Sequence, residues 1–152
     1  MEEQMNAILT KHPDLNHYGF LKSHERHPQN FCPKRIAFIM EILPFLVQPC
    51  QSLRRDGNHS KTIREMFRNT VTDTILPNIT TGEVTLAMMC LDYKPHMIKS
   101  SPMCKFRIEP KIKGYAYAHP MWCLTYDQNL NMLRKFLAQH ADKHFPSTGL
   151  EV

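Results

Sequence analysis

The sequence predicts an α+β fold that is mainly helical: four to five helices, with a small antiparallel β-hairpin or three-stranded sheet between the third and the last main helices. Three observations carry that expectation. Apolar residues recur at helical spacing in several stretches before residue 92 and again after residue 126. Between Cys104 and Tyr126 the spacing changes to alternation, as in half-buried strands. Eleven prolines against five glycines mark many defined turns between short elements. At 152 residues the chain has the size of one domain, assigned to residues 1–148, and can bury about two-thirds of its unfolded surface. The last four residues, "GLEV", match the start of a protease-site tag and are set aside as a tag or tail.

A first helix is expected from Glu2 to Lys11, with Met5, Ile8 and Leu9 on one face, stopping before Pro13. Residues 12–33 lack a period and read as a long ordered loop. Lys34 to Gln48 reads as the central helix, because Ile36, Ala37, Phe38, Ile39, Met40, Ile42 and Leu43 cover nearly its whole circumference. Pro44 should kink it or end it early. Ser60 caps the next helix, in which Ile63, Met66, Phe67, Thr70, Val71 and Ile75 hold the i, i+3, i+4 spacing. Thr80 or Thr81 caps a third, with Glu83 in its first turn and Pro95 beyond its end. "CKFRI", "GYAYA" and "WCLTY" then read as two or three antiparallel strands. Pro110 interrupts the first, leaving "EPKIKG" as a loop or an edge bulge. The final helix starts at Asp127 and carries Leu130, Leu133, Phe136, Leu137 and Ala141 on one face.

Composition excludes several classes. The apolar fraction of 42% and charged fraction of 22% belong to a folded protein and not to a disordered tail. The most apolar stretch, Ile36 to Val47, contains Glu41 and Pro44 and falls well short of the roughly 20 residues that cross a bilayer. The N-terminus carries Glu2 and Glu3 where a signal peptide needs basic residues. Five widely spaced cysteines without a CxxC pattern fit reduced thiols and not a disulfide framework. The expected location is intracellular, cytoplasm or nucleus, with no membrane span.

The charge is lopsided. Residues 93–126 hold six cations (Lys94, Lys99, Lys105, Arg107, Lys111 and Lys113) against Glu109 alone, a surplus of five that equals the formal net charge of +5. Widening the segment to Asp92 and Asp127 lowers that surplus to three. Strand side chains alternate faces, so Lys105, Arg107, Lys111 and Lys113 share one side if pairing continues past Pro110, with Phe106, Ile108 and Ile112 facing the core. Tyr115, Tyr117 and Trp122 follow closely. Cations that meet phosphates beside rings that stack on bases are what single-stranded nucleic acid requires. The competing reading is a solvated edge strand, where lysines prevent edge-to-edge association.

The order of helices and strands resembles a winged-helix arrangement with the basic hairpin as wing. The third helix, "GEVTLAMMCLDY", offers no Arg, Lys, Asn or Gln to read base edges, so base-specific reading by that helix is not expected. His24, His27 and Cys32, and likewise Cys104, His119 and Cys123, include zinc-competent side chains. Neither set shows the two close pairs of a structural zinc site. His140 and His144 lie four apart on the last helix, more in keeping with its C-terminal dipole than with a metal. Cys123 and His119 form the one local nucleophile–base pair, without a known signature around them, and no glycine-rich phosphate loop, GxSxG or HExxH is present. No cofactor, metal or catalytic residue is therefore assigned.

The expected function is that of a small non-enzymatic binding protein. Its partner is RNA or another polyanion, held by the segment 94–113 and the nearby rings, within a ribonucleoprotein or viral assembly. The alternative is a structural or adaptor subunit acting by protein–protein contact or self-association, with Met97, Met103 and Met121 as adaptable contacts. A zinc-binding protein or a thiol enzyme ranks below both.

Overall fold

Thr80 starts the most deeply buried of the described helices. Its hydroxyl accepts the backbone N–H of Glu83 at 3.1 Å, and the Glu83 carboxylate accepts the backbone N–H of Thr80 at 2.9 Å, a complete capping box. The computed structural model, which describes residues 1–21, 27–53, 59–111 and 126–142, has five helices and three two-stranded antiparallel sheets among those residues. The helices are α1 (Glu2–Lys11), α2 (Pro33–Leu46), α3 (Ser60–Ile75), α4 (Thr81–Cys90) and α5 (Tyr126–Asp142). The strands are β1 (Leu15–Asn16), β2 (Gly19–Phe20), β3 (Val47–Pro49), β4 (His96–Met97), β5 (Cys104–Lys105) and β6 (Ile108–Pro110). The fold class is the expected one, α+β and mainly helical, with the β4–β5 hairpin between α4 and α5.

The centre is α4 and not α2. Every residue of α4 is buried, whereas α2 keeps Lys34, Ala37, Glu41 and Pro44 on an exposed stripe and buries only Ile36, Ile39, Ile42, Leu43 and Leu46. Small side chains explain the difference. Gly82 lies so close to the first hairpin that a Cβ there would stand 1.8 Å from the Asn16 carbonyl oxygen. Its N–H donates to the His17 carbonyl at 3.0 Å. Ala87 and Thr85 let neighbours approach on other sides, and the Thr85 hydroxyl is satisfied by the Thr81 carbonyl at 2.9 Å. Helices α1, α2 and α3 and strands β1 and β2 all pack on this one element.

The other elements follow local rules with some departures. Helix α1 has acidic residues in its first turn, Lys11 in its last, and buries Met5 and Leu9 one turn apart. The expected loop after it contains a hairpin, pairing Leu15 with Phe20 and Asn16 with Gly19. Asn16 holds its turn: Oδ1 accepts the Tyr18 N–H at 2.9 Å, and Nδ2 donates to the Asp14 carbonyl at 3.1 Å. Helix α2 runs through Pro44 and ends at Leu46, where Val47 turns extended and begins β3. Pro44 thus precedes the end by only half a turn.

Ser60 does not cap α3. Buried at the first position of the helix, its hydroxyl accepts the backbone N–H of Cys104 at 3.1 Å and so ties the helix to β5. His59 caps instead, its Nδ1 accepting the Lys61 N–H at 3.2 Å and its carbonyl the Ile63 N–H at 2.9 Å. Leu133 of α5 is buried, and the helix packs on α2 and α3. No described helix is long and apolar enough to cross a membrane.

Candidate nucleic-acid interface

The site begins with the alternation around Lys105. Cys104, Phe106 and Ile108 are fully buried, while Lys105 is half-buried and Arg107 exposed. Burying every second residue presents the intervening cations to solvent. Lys105 is the middle residue of a short ladder: it pairs antiparallel with His96 on one side and, by an isolated bridge, with His59 on the other. Directly opposed residues of antiparallel strands share a face, so the row reads His96, Lys105, His59.

Neighbouring cations act on both imidazoles. Partial burial, then the positive charges of Lys105 and Lys61, hold the His59 pKa below its usual value. Desolvation, then Arg107 and Lys94, do the same to His96. Acceptance of a backbone N–H at His59 Nδ1 fits the neutral ring, with its proton on Nε2. Six basic side chains therefore converge here: Lys61, Lys94, Lys105, Arg107 and the two histidines. Among the described residues, none of Lys61, Lys94, Lys99, Lys105, Arg107 and Lys111 forms an ion pair; the ion pairs found join Arg35 to Glu83 and Arg134 to Glu41.

The basic row is not one straight strand. The Ile108 N–H donates to the Phe106 carbonyl at 2.9 Å, a three-residue turn centred on Arg107. Before it β5 pairs with β4; after it β6 pairs with β3, through Pro49 and Ile108, Gln48 and Glu109, and Val47 and Pro110. Pairing continues past Pro110, since the Lys111 N–H donates to the Leu46 carbonyl at 2.7 Å. Pro110 is tolerated at a register position that needs no donor. The bend turns the Arg107 guanidinium toward the Gln51 carbonyl, to which it donates. Lys111 stands apart, its Nζ 3.4 Å from the Pro44 carbonyl in the last turn of α2. Lys99 is exposed in the turn between β4 and β5. Lys113, Tyr115, Tyr117 and Trp122 lie outside the described residues, as do "GYAYA" and residues 122–125 of "WCLTY"; the last residue of that expected strand, Tyr126, is helical and opens α5.

Sequence reasoning missed His59, Lys61 and His96. The signal was faint: each histidine sits two residues from a lysine, in "HSK" and "KPH", but their meeting across Lys105 depends on the ladder. It also missed Tyr18, exposed at the tip of the first hairpin with its ring 5.3 Å from that of His27.

Other candidate chemistry gathers little around itself. The Cys104 thiol is pushed up to about 12 by burial, against smaller opposing contributions from hydrogen bonds with Ser60 and Thr85, so it stays protonated at neutral pH and is a poor nucleophile. His119 and Cys123, once grouped with it, lie outside the described residues, as does His24 of the other candidate set. Cys32 is exposed ahead of α2, and His27 packs on Tyr18. Among the described residues no three His, Cys, Asp or Glu side chains come together as a metal site. No protein-family model, curated protein or solved structure matches this chain.

Proposed function

We propose that the protein is a non-enzymatic RNA-binding module whose β4–β5 face takes the phosphates of a single strand. One observation carries the reading. Lys61, Lys94, Lys105 and Arg107 collect around two imidazoles without a carboxylate partner among the described residues. A folded protein gains nothing from crowding like charges, whereas a phosphate backbone relieves that repulsion and releases counterions as it binds. The burial of α4 fits the same reading, because that helix offers no face to a major groove.

Equilibrium filter binding to a fluorescent twelve-nucleotide oligouridine, measured across salt concentrations, tests the proposal. Four phosphate contacts predict a log–log salt slope of about −3 for a single strand. Replacing Lys61, Lys94, Lys105 and Arg107 together by Glu should abolish retention while leaving the circular dichroism spectrum unchanged. Retention by this variant, or wild-type binding that ignores salt, overturns the reading.

A further inference from the structure

One residue along β4 from His96, the surface opens into a cleft of about 440 Å³, within the size range of small-ligand sites. Phe20 and Leu21 line one side, and Met97, Ile98 and Pro102 the other, so its walls are largely apolar. The two sides are locked together: the Phe20 N–H donates to the Pro102 carbonyl at 2.8 Å, and a Cβ on Gly19, whose φ is 108°, would lie 2.5 Å from that same oxygen. The cleft is therefore a fixed feature of the fold, set between the first hairpin and the β4–β5 turn.

Its polar groups are few. Asp14 lines it half-buried, and among the described residues its carboxylate has no hydrogen-bond or ionic partner. Ser101 also lines it; its Oγ accepts the Met103 N–H at 3.1 Å, which leaves the hydroxyl proton free to donate. Lys99, exposed in the turn between β4 and β5, falls between the lining residues Ile98 and Ser100 at the rim.

We infer that this cleft receives one base of the bound strand and selects guanine. The inference rests on the proposed RNA reading and deepens it. A flat heterocycle matches apolar walls, and a cation at the rim matches the phosphate attached to it. The carboxylate decides which base. Guanine presents two adjacent donors, N1–H and N2–H₂, to the two oxygens of Asp14, which can only accept. Uracil flanks its single N3–H with carbonyl oxygens that such a group repels. Adenine and cytosine each offer one amino group beside a ring acceptor. Met97 follows His96 on β4 with its side chain on the opposite face, so a strand whose phosphates lie along His96 and Lys105 reaches the cleft by passing over the outer edge of β4, which among the described residues pairs only with β5.

Two measurements separate this inference from the reading beneath it. The first compares twelve-nucleotide oligouridine with the same oligomer carrying a central G, A or C. The G oligomer should bind about tenfold more tightly than the others. Asp14→Asn should remove that preference while leaving oligouridine affinity within about twofold, since one oxygen becomes an NH₂ that meets guanine's own donors. Equal affinity for all four oligomers overturns the guanine pocket and leaves the phosphate face standing. The second uses guanosine alone, which carries no phosphate, with the full-length protein labelled at its methionine methyl groups. Guanosine should shift the Met97 methyl resonance in wild type and in Lys105→Glu/Arg107→Glu, and adenosine should not. Absence of a shift overturns the inference even if no oligonucleotide binds.

Discussion

Arg35 and Arg107 are the same residue type in opposite circumstances. Arg35 donates to both oxygens of buried Glu83, at 2.6 and 3.1 Å, and to the Pro77 carbonyl at 2.9 Å. The hydrogen bond to Glu83 leads in raising its pKa, against desolvation. Glu83 is in turn committed to Thr80, so the charge belongs to a closed network that starts α4. Arg107 reaches one carbonyl, that of Gln51, and sits among cations. Charge that is fully paired inside the fold serves the fold. Charge crowded at the surface without a counterion costs stability through self-repulsion.

That contrast can be broken by mutation. The largest stability effect belongs on the paired side: Glu83→Ala removes the capping box and the Arg35 partner together. It should cost about 3 kcal/mol in urea unfolding, a value at the low end for broken buried pairs because Arg35 is 27% exposed. The charge reversal Lys105→Glu/Arg107→Glu should do the reverse, weakening oligouridine binding about a hundredfold at low salt while moving unfolding by less than about 0.5 kcal/mol. An unfolding midpoint shifted as far as that of Glu83→Ala would show that these cations also serve the fold.

Smaller effects sharpen the line between the regions. Ser60→Ala strands the buried N–H of Cys104 where β5 meets α3 and should cost about 1–2 kcal/mol. Lys105→Gln should leave stability alone, weaken binding about fivefold and make the salt slope shallower by about 0.7. Acidification gives the smallest effect and two opposite signs. His59 and His96 have folded pKa values below the ordinary imidazole value of about 6.5, so the unfolded chain binds more protons. The stability of the free protein should therefore fall as pH drops from about 6.5 through those lowered values. A bound phosphate favours the imidazolium, so oligouridine affinity should rise about threefold between pH 7.5 and 6.0. Melting curves with and without RNA read both signs, and His96→Gln should weaken each.

Much of the framework was legible because it depends on near neighbours. Thr80 with Glu83 three residues on, the apolar stripe of Ile63, Phe67 and Val71, and the halt of α1 before Pro13 are all decided within a turn or two. The hairpin inside residues 12–33 was hidden because its strands are two residues long and carry no period. The choice between α2 and α4 as centre was misread for a different reason. Apolar character favours α2, but a helix is surrounded only where small side chains let partners close in, and Gly82 does that against Asn16. At the site, the cations of segment 94–113 were visible as a run of charge, but their grouping was not. The turn at Arg107 sends Lys111 toward α2 and leaves Lys105 between two histidines from other segments.

Composition and local periodicity by themselves determined a mainly helical α+β domain with its positive surplus gathered in one segment. Only the tertiary structure decided which cations meet, that His59, Lys61 and His96 join them, and that a cleft opens beside them. The physical reason is range: caps, stripes and proline stops act over three or four residues. The pairing of His59 with Lys105, and the contact of Gly19 with Pro102, close loops of dozens of residues that no local pattern encodes.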